Sequence, residues 1–309
     1  MGKLRVALIA GGWSREREIS LKSGESVYNA LDKGKYEVKR YDPSKDLLTL
    51  IQDSKDIDIV LLFLHGKRGE DGSIQGLLDL LGLPYVGSGV LASALAMNKA
   101  ISKELFRSAG LKVPREMLFS RNQDIDQEEI LSVLGKPAVV KPVAEGSSIG
   151  VRICHTAEEI AEAIKDTFDM SSEVMVEEYV EGREVSCAVL GNRSPEALPV
   201  IEIIPRKEHQ FFNYTAKYVL GASEEVCPAR LPSHVFKKVQ DYAIKAHCLL
   251  CCRNFSRSDM IVADNEVYIL ETNTIPGMTE NSLFPLAART AGLSFSQLMD
   301  RLIELAFED

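Results

Sequence analysis

The near-continuous apolar stretches Leu4 to Ala10 and Ile57 to Leu64 predict two strands buried on both faces. Between them the turn Gly11-Gly12 leads into a helical pattern from Ser20 to Leu31. Strand, turn, helix and strand in that order require a crossover connection, and therefore a parallel sheet. A glycine-rich loop follows in HGKRGEDGSIQGLLDLLGLPYVGSG, carrying a short helix from Ser73 to Leu81 and then an extended segment. Two helical runs follow, Val90 to Met97 and Lys99 to Ala109, and the α/β part is expected to end between them, near Met97.

Beyond the extended LKVPREMLFS, the pattern becomes α+β. It predicts a strand Ala138 to Pro142, a glycine- and serine-rich loop Glu145 to Gly150, and a helix Ala157 to Phe168. Strands Val174 to Glu178 and Glu184 to Leu190 follow, joined by a hairpin-like turn at Glu181-Gly182. No helix emerges from Pro205 to Pro232, and so long a connection inside a compact domain is usually a lid or substrate loop. Helices Ser233 to Leu249, Leu283 to Ala291 and Phe295 to Phe307 surround two strand-like runs, Ser258 to Ala263 and Glu266 to Asn273. The three expected units are residues 1–97, 98–184 and 185–309.

The last two strands carry the strongest chemical signal. Glu271 and Asn273 are two apart and so share a face of the sheet. A strict two-residue turn at Asp264-Asn265 would pair Asp259 with Leu270 and send Asp259 and Glu271 to opposite faces. An odd loop centred on Asn265 would align them, and that alignment is expected here. Two carboxylates and an amide oxygen suit Mg²⁺ shared with substrate phosphates. By spacing alone the same residues would equally make a hairpin with a solvated acidic face.

Lys141, just ahead of Glu145-Gly146-Ser147-Ser148-Ile149-Gly150, supplies a second signal. Glycines admit phosphate oxygens close to backbone amides, serines add donors and a lysine offsets charge. The lysine precedes the glycines and no Gly-Lys-Ser/Thr closes the loop, so this is not a Walker A sequence.

Composition narrows the class. A chain of 309 residues, 45% hydrophobic and 26% charged, can bury more than one core and is ordinary for a globular protein. Its net charge of −9, with scattered basic residues, gives no long-range attraction to nucleic acid or anionic membrane. The N-terminal apolar run is too short for a secretory or spanning segment, so a cytoplasmic location is expected. Cys248-x-x-Cys251 has no second such pair, and Cys248, Cys251 and Cys252 read as small buried hydrophobes at a helix end and strand start.

Seven segments in series resemble D-alanine–D-alanine ligases, members of the ATP-grasp superfamily. They are GGWSREREISLKSG, LHGKRGEDGSIQGLLDLLGLPYVGSG, VVKPVAEGSSIGV, VEEYVEGREVS, YTAKY, SRSD and ETNTIPGMTENSL, from residue 11 to residue 283. The resemblance implies an ATP-grasp fold behind a Rossmann-like parallel-sheet domain, and a bacterial cell building peptidoglycan. It implies a reaction in which ATP phosphorylates the carboxylate of one D-alanine and the amine of a second attacks the acyl phosphate. D-alanyl-D-alanine, ADP and phosphate are released.

The resemblance also implies roles. Asp259, Glu271 and Asn273 would hold two Mg²⁺ ions, with Mn²⁺ able to substitute, and Lys99 and Lys141 would contact phosphates beneath the loop of Glu145, Ser147 and Ser148. Glu177 and the backbone of Glu178 and Val180 would bind adenine, and Glu184 the ribose. Glu16 would face the first D-alanine's ammonium, His65 its carboxylate side, and Glu70 would support the second substrate's pocket. Ser147, Tyr218 and Glu16 would join across a closed lid, with Lys217 near the transferred phosphate. Arg257 and the Gly277 amide would stabilise the tetrahedral oxyanion, Ser282 would bind the second carboxylate, and Leu283 would pack its methyl group. A homodimer built on the first domain is implied as well.

Without the resemblance, Lys99 would be a solvated helix lysine, Glu16 part of a salt-bridged surface, His65 and Tyr218 structural, and Ser282 a helix cap. Three other readings share some of these residues: a ligase making a D-alanyl ester or D-alanyl-D-serine, another ATP-dependent carboxylate–amine ligase, and a nucleotide-binding regulator without turnover. The wording departs from the family in CCRNFSRSDM, where Cys251, Asn254 and Ser256 stand at places usually held by small residues, often glycines.

Overall fold

The computed structural model describes residues 2–146, 149–205 and 223–308. The first unit is a four-stranded sheet ordered β2-β1-β3-β4, from β1 (Leu4–Ile9), β2 (Tyr36–Tyr41), β3 (Ile59–Leu62) and β4 (Tyr85–Val86). Every pairing in it is parallel. Its connections include α1 (Arg17–Ala30), α2 (Pro43–Gln52) and α3 (Ser73–Leu80). β1 and β3 are the two apolar stretches read from the sequence. Helix α1 starts one turn earlier than its periodicity suggested, so that Glu16 is its N-cap residue. β2 and α2 were not expected: β2 buries only its end residues Tyr36 and Tyr41, too sparse a pattern to read as a strand.

Helices α4 (Val90–Met97) and α5 (Lys99–Ser108) meet at Asn98, whose side chain accepts from the amides of Ala100 and Ile101 and so starts α5. Next comes an antiparallel sheet ordered β5-β8-β6-β7, from β5 (Glu116–Ser120), β6 (Ala138–Pro142), β7 (Arg152–Cys154) and β8 (Glu173–Glu178). Helices α6 (Gln127–Leu134) and α7 (Ala157–Phe168) cover one of its faces around a core of Ile130, Val140, Ile160 and Val176.

The third sheet is antiparallel and ordered β12-β11-β9-β13-β14. Its strands are β9 (Arg183–Leu190), β11 (Ile201–Pro205), β12 (Ser223–Val226), β13 (Phe255–Ala263) and β14 (Glu266–Asn273), with β10 (Glu196–Ala197) beside β9. Helix α8 (Ser233–Leu249) packs on it with α4 and α5 around Val185, Val239, Met260 and Ile269. Helices α9 (Leu283–Thr290) and α10 (Phe295–Ala306) share a different core with the first sheet, in which Phe63, Phe255, Phe284 and Leu302 are buried together.

The β13–β14 hairpin corrects one expectation. Asp264 and Asn265, at φ of 49° and 64°, form a two-residue turn, with Ala263 paired to Glu266. Asp259 nevertheless faces Glu271, because the register shifts between Asp259 and Met260, and Met260 pairs with Ile269. Leu270 is therefore an extra, bulged residue, and the bulge restores the alignment that an odd loop was expected to supply.

The segment CCRNFSRSDM adopts the backbone that glycines would favour. Cys251 and Asn254 have φ of 57° and 59°. Buried Asn254 accepts from the Gly87 amide at 2.6 Å and donates to Asn192 Oδ1 at 3.2 Å, tying the end of the first unit to the third sheet. Of the three cysteines expected to be buried, only Cys252 is; Cys248 and Cys251 are exposed on the end of α8 and its turn.

Candidate active site

A cleft opens between the second and third sheets. One wall carries Val139, Lys141, Ile153 and Glu177, and the other carries Asp259, Ile261, Leu270 and Glu271. Glu178, Val180 and Glu184 lie along it, with Lys99 and Glu145 also in the lining. The bulge makes this possible on the hairpin side, since it brings consecutive residues Leu270 and Glu271 both into the cleft. The apolar faces suit a flat ring and the charged end suits phosphates.

At the charged end Lys99, largely buried, donates to the Glu145 carbonyl at 2.6 Å and pairs with Glu271 Oε2 at 3.3 Å. Lys141 pairs with Glu177 Oε2 at 2.7 Å. Burial pushes the buried Glu177 carboxyl upward, but Lys141 and Lys103 outweigh it and hold it below the usual range. The side chain of Glu145 pairs with Lys67 at 2.5 Å, so the glycine-rich loop is anchored to the loop after β3. Glu178 holds Arg115 through its carboxylate, and its amide donates to the Arg115 carbonyl at 3.0 Å.

Asp259 is held by the Arg257 guanidinium at 3.0 and 2.8 Å, by the Ser186 hydroxyl at 2.7 Å and by Asn273 Nδ2 at 3.3 Å. Asp259 and Glu271 face each other across the ladder, with Arg257 and Asn273 the next pair on the same face. Among the described residues no group of three His, Cys, Asp or Glu could hold a metal by itself. Two carboxylates with an adjoining amide are nonetheless an oxygen-only set that fits a hard cation sharing its shell with phosphate and water.

Past Glu271 a smaller cavity continues the cleft, lined by Glu70, Lys99, Gly146, Glu271, Asn273 and Thr274. Glu16 and Glu70 converge on it from α1 and from the loop after β3. A methyl group on Gly146 would lie 3.0 Å from Glu16 Oε2 and 3.7 Å from Glu70 Oε2. One on Gly66, which has φ of 71°, would lie 2.7 Å from Glu16 Oε2, so this close approach requires glycine. Glu70 accepts from the Gly66 amide at 2.6 Å, yet burial and then the charge of Glu16 push it up to about 8. A proton is thus retained beside an acidic neighbour at neutral pH.

His65 ends the segment after β3 and is also buried; burial draws it down to about 4, with the Arg257 charge adding to the effect, so it is neutral at pH 7. Its Nε2 meets the Ser23 hydroxyl at 3.3 Å, and that hydroxyl accepts from the Met278 amide at 3.4 Å. Ser282 stands at the N-cap position of α9, but its side chain turns to Thr279 rather than to the helix amides, with its Oγ 2.7 Å from Thr279 Oγ1, and a methyl group on Gly277 would be 3.0 Å from that Oγ. Leu283 is buried in the core shared by the first sheet and α9.

The expected residues Glu16, His65, Glu70, Lys99, Lys141, Glu145, Glu177, Glu178, Val180, Glu184, Arg257, Asp259, Glu271, Asn273, Gly277, Ser282 and Leu283 all lie in described segments. Ser147, Ser148, Lys217 and Tyr218, and most of the expected lid, lie outside them. Sequence reasoning missed Ser186, Ser23 and Lys103. The one available signal was that Lys103 lies four residues after Lys99, on the same side of a helix.

Comparison with known proteins agrees with this architecture. Residues 105–304 match the family described as D-ala D-ala ligase C-terminus, and residues 43–88 match D-ala D-ala ligase N-terminus. The chain is 55% identical to D-alanine--D-alanine ligase of Syntrophobacter fumaroxidans over 99% of both chains. It is 50% identical to that of Desulfotalea psychrophila over 99% of this chain and 96% of the relative. The crystal structure of D-alanine--D-alanine ligase from Bacillus anthracis complexed with ATP superposes with a TM-score of 0.85 at 36% identity, covering 98% of this chain and 97% of the other. VanG D-Ala:D-Ser ligase from Enterococcus faecalis gives 0.85 at 35% identity, covering 99% and 100%. With both halves matched in sequence and nearly the whole chain matched in fold, this protein belongs to the D-alanine–D-alanine ligase family of ATP-grasp enzymes.

Proposed function

We propose that the chain joins two D-alanines to D-alanyl-D-alanine at the expense of ATP, through a D-alanyl phosphate, for peptidoglycan synthesis. The observation that carries the reading is the continuity of two sites at Glu271. A cleft with apolar walls and lysines meets a cavity of opposed carboxylates, beside a neutral histidine and an arginine.

ATP lies with adenine between Ile153, Leu270 and neighbouring apolar side chains, its edge met by Glu177 and the backbone of Glu178 and Val180. Glu184 takes the ribose hydroxyls. Lys99 and Lys141 meet the phosphates beneath the loop of Glu145, Ser147 and Ser148. Asp259, Glu271 and Asn273 would hold two Mg²⁺ ions, or Mn²⁺, which when bound would offset phosphate charge during transfer. Binding there requires Lys99 and Arg257 to yield part of their grip on Glu271 and Asp259.

The first D-alanine offers its ammonium to Glu16 and its carboxylate to the side lined by His65. Neutral His65 accepts or donates one hydrogen bond without adding charge. The carboxylate attacks the terminal phosphorus, ADP leaves, and the acyl phosphate has a good leaving group where the free acid had none. The second D-alanine, in the pocket of Glu70 and Ser282 with its methyl group against Leu283, attacks with its amine. Arg257 and the Gly277 amide stabilise the oxyanion, and phosphate departs. Ser147, Lys217 and Tyr218 complete the site when the loop covers it, excluding water from the acyl phosphate. Residues 1–97, 98–184 and 185–309 supply the amino-acid site, the base-binding wall and the metal wall in turn.

The same reading has the protein work in the cytoplasm as a homodimer built on the first unit, which sedimentation of the purified chain tests. No helix among the described residues is long and apolar enough to cross a membrane. The reaction is tested by ADP release with ATP and Mg²⁺, comparing D-alanine with L-alanine, D-serine, D-lactate and no acceptor. Dipeptide of the right mass, formed only with D-alanine, is expected; release unaffected by D-alanine would move the substrate assignment to another carboxylate and amine.

A further inference from the structure

Lys103 has no solvent-exposed surface, and the reaction as derived makes no use of it. Its ammonium lies 2.5 Å from Glu177 Oε1 and 2.9 Å from Glu116 Oε2, and donates to the Pro114 carbonyl at 2.9 Å. The Glu116 contact is an ion pair off the hydrogen-bonding direction, and Glu116 also pairs with Arg107. The other oxygen of Glu177 meets Lys141 at 2.7 Å. Glu177 is thus gripped on both oxygens, by one lysine that lines the cleft and one that lies behind its wall.

We propose that Lys103 is a positioning residue for base selection: it keeps Glu177 a carboxylate, so that the cleft takes a base with an amino group at its edge and refuses one with a carbonyl there. This rests on the assignment of Glu177 to adenine. A carboxylate only accepts hydrogen bonds, whereas a carboxylic acid also donates one. Adenine offers an amino group where hypoxanthine offers a carbonyl oxygen, and a carboxylate facing that oxygen leaves two acceptors opposed without water. Burial by itself drives Glu177 toward the acid, and the two lysines reverse that. Without Lys103, Glu177 and Glu116 would share a pocket with no ammonium between them, and Lys141 would divide its charge between Glu177 and a nucleotide.

The groups facing Glu177 are few in kind. Helix α5 supplies Lys103 and, through Glu116, Arg107; β5 supplies Glu116, β6 supplies Lys141, and on β8 the adjoining Glu178 is paired with Arg115. Across or along the cleft lie Lys99, Glu145, Tyr179, Glu184, Asp259 and Glu271. None of these residue types ordinarily titrates between about pH 6 and 9. The hypoxanthine ring sheds its own N1 proton toward the alkaline end, so a base preference that changes between about pH 6 and 8 reports Glu177.

The test is D-alanine-dependent ADP release by the full chain with ATP or inosine triphosphate from pH 6 to 8, read as the ratio of the two kcat/KM values. The wild-type ratio is expected to stay constant. In Lys103→Met it should fall roughly tenfold from pH 8 to pH 6, in Lys103→Arg it should stay constant, and in Glu177→Gln it should be low at every pH. A purely structural role would lower both nucleotides in parallel and leave the ratio flat, and a flat, wild-type ratio in Lys103→Met overturns the inference. If Lys103→Met is insoluble, the double variant with Glu177→Gln should recover soluble protein because the buried carboxylate left with Lys141 alone is gone; continued insolubility also overturns it. Failure of the ligase reading would show separately, as wild-type ADP release indifferent to D-alanine, and competition binding of the two nucleotides would still test Lys103.

Discussion

Replacing Glu70 by Gln should stabilise the nucleotide-free protein in alkaline solution and do little in acid. The native carboxyl is pushed up to about 8 from an ordinary 4.5, by burial first and the Glu16 charge second. Between those values the unfolded chain has released a proton that the folded chain keeps. Folding stability contributed by this group is therefore complete below pH 4.5 and declines as pH rises through about 8. At about 1.4 kcal/mol for each pH unit, the interval sets an upper bound of about 5 kcal/mol. Glutamine has nearly the same shape, keeps an oxygen for the Gly66 amide and cannot ionise, so the loss is absent from the variant. Urea unfolding of both proteins at pH 5, 6, 7 and 8 should show the variant's advantage growing by up to about 1.4 kcal/mol per pH unit. His65 and His247, both drawn down to about 4 by burial, weaken each protein alike as pH falls below 6.5 and cancel in the difference. A difference that stays constant across the series would refute a buried, protonated Glu70.

Three further outcomes follow from the geometry. Glu271→Ala should abolish D-alanine-dependent ADP release, since it removes one of the two facing carboxylates and leaves Lys99 unbalanced; full activity would remove Glu271 from the metal site. Gly66→Ala should lower kcat/KM about a hundredfold by displacing Glu16, whereas Gly82→Ala, with φ of 65° and open space around it, should carry only backbone strain and keep its activity. Cys251→Gly should stabilise by about 1 kcal/mol through relief of the left-handed backbone. Asn254→Gly, at nearly the same φ, should destabilise by about 1–3 kcal/mol because the Gly87 amide loses its acceptor; thermal unfolding of the pair measures the opposite signs.

What the sequence revealed was governed by pattern strength. β1, β3, β6 and β8 bury most of their residues and could be read directly. β2 and β7 present too few buried positions to be distinguished from loop. The facing of Asp259 and Glu271 was legible as chemistry, but its cause was not. Nothing in Ile269-Leu270-Glu271 marks a bulge, so the odd residue was assigned to the turn. Lys103 looked like any lysine on a charged helix, because a buried ion pair leaves no periodic trace. The family resemblance supplied the expected roles of Glu16 and His65, which composition and spacing left as ordinary surface or structural groups.

The bulge at Leu270 divides the hairpin into two stretches that count residues differently. From Ala263 and Glu266 back to Met260 and Ile269 the strands run in one phase; from Asp259 and Glu271 onward they run in the next. The outer stretch could therefore be lengthened or shortened by matched pairs of residues while the facing carboxylates kept their positions. An unpaired insertion there would have to be absorbed before it reached Asp259, or it would turn one carboxylate away from the other. Evolutionary drift in the length of this hairpin should accordingly come in steps of two, one residue for each strand.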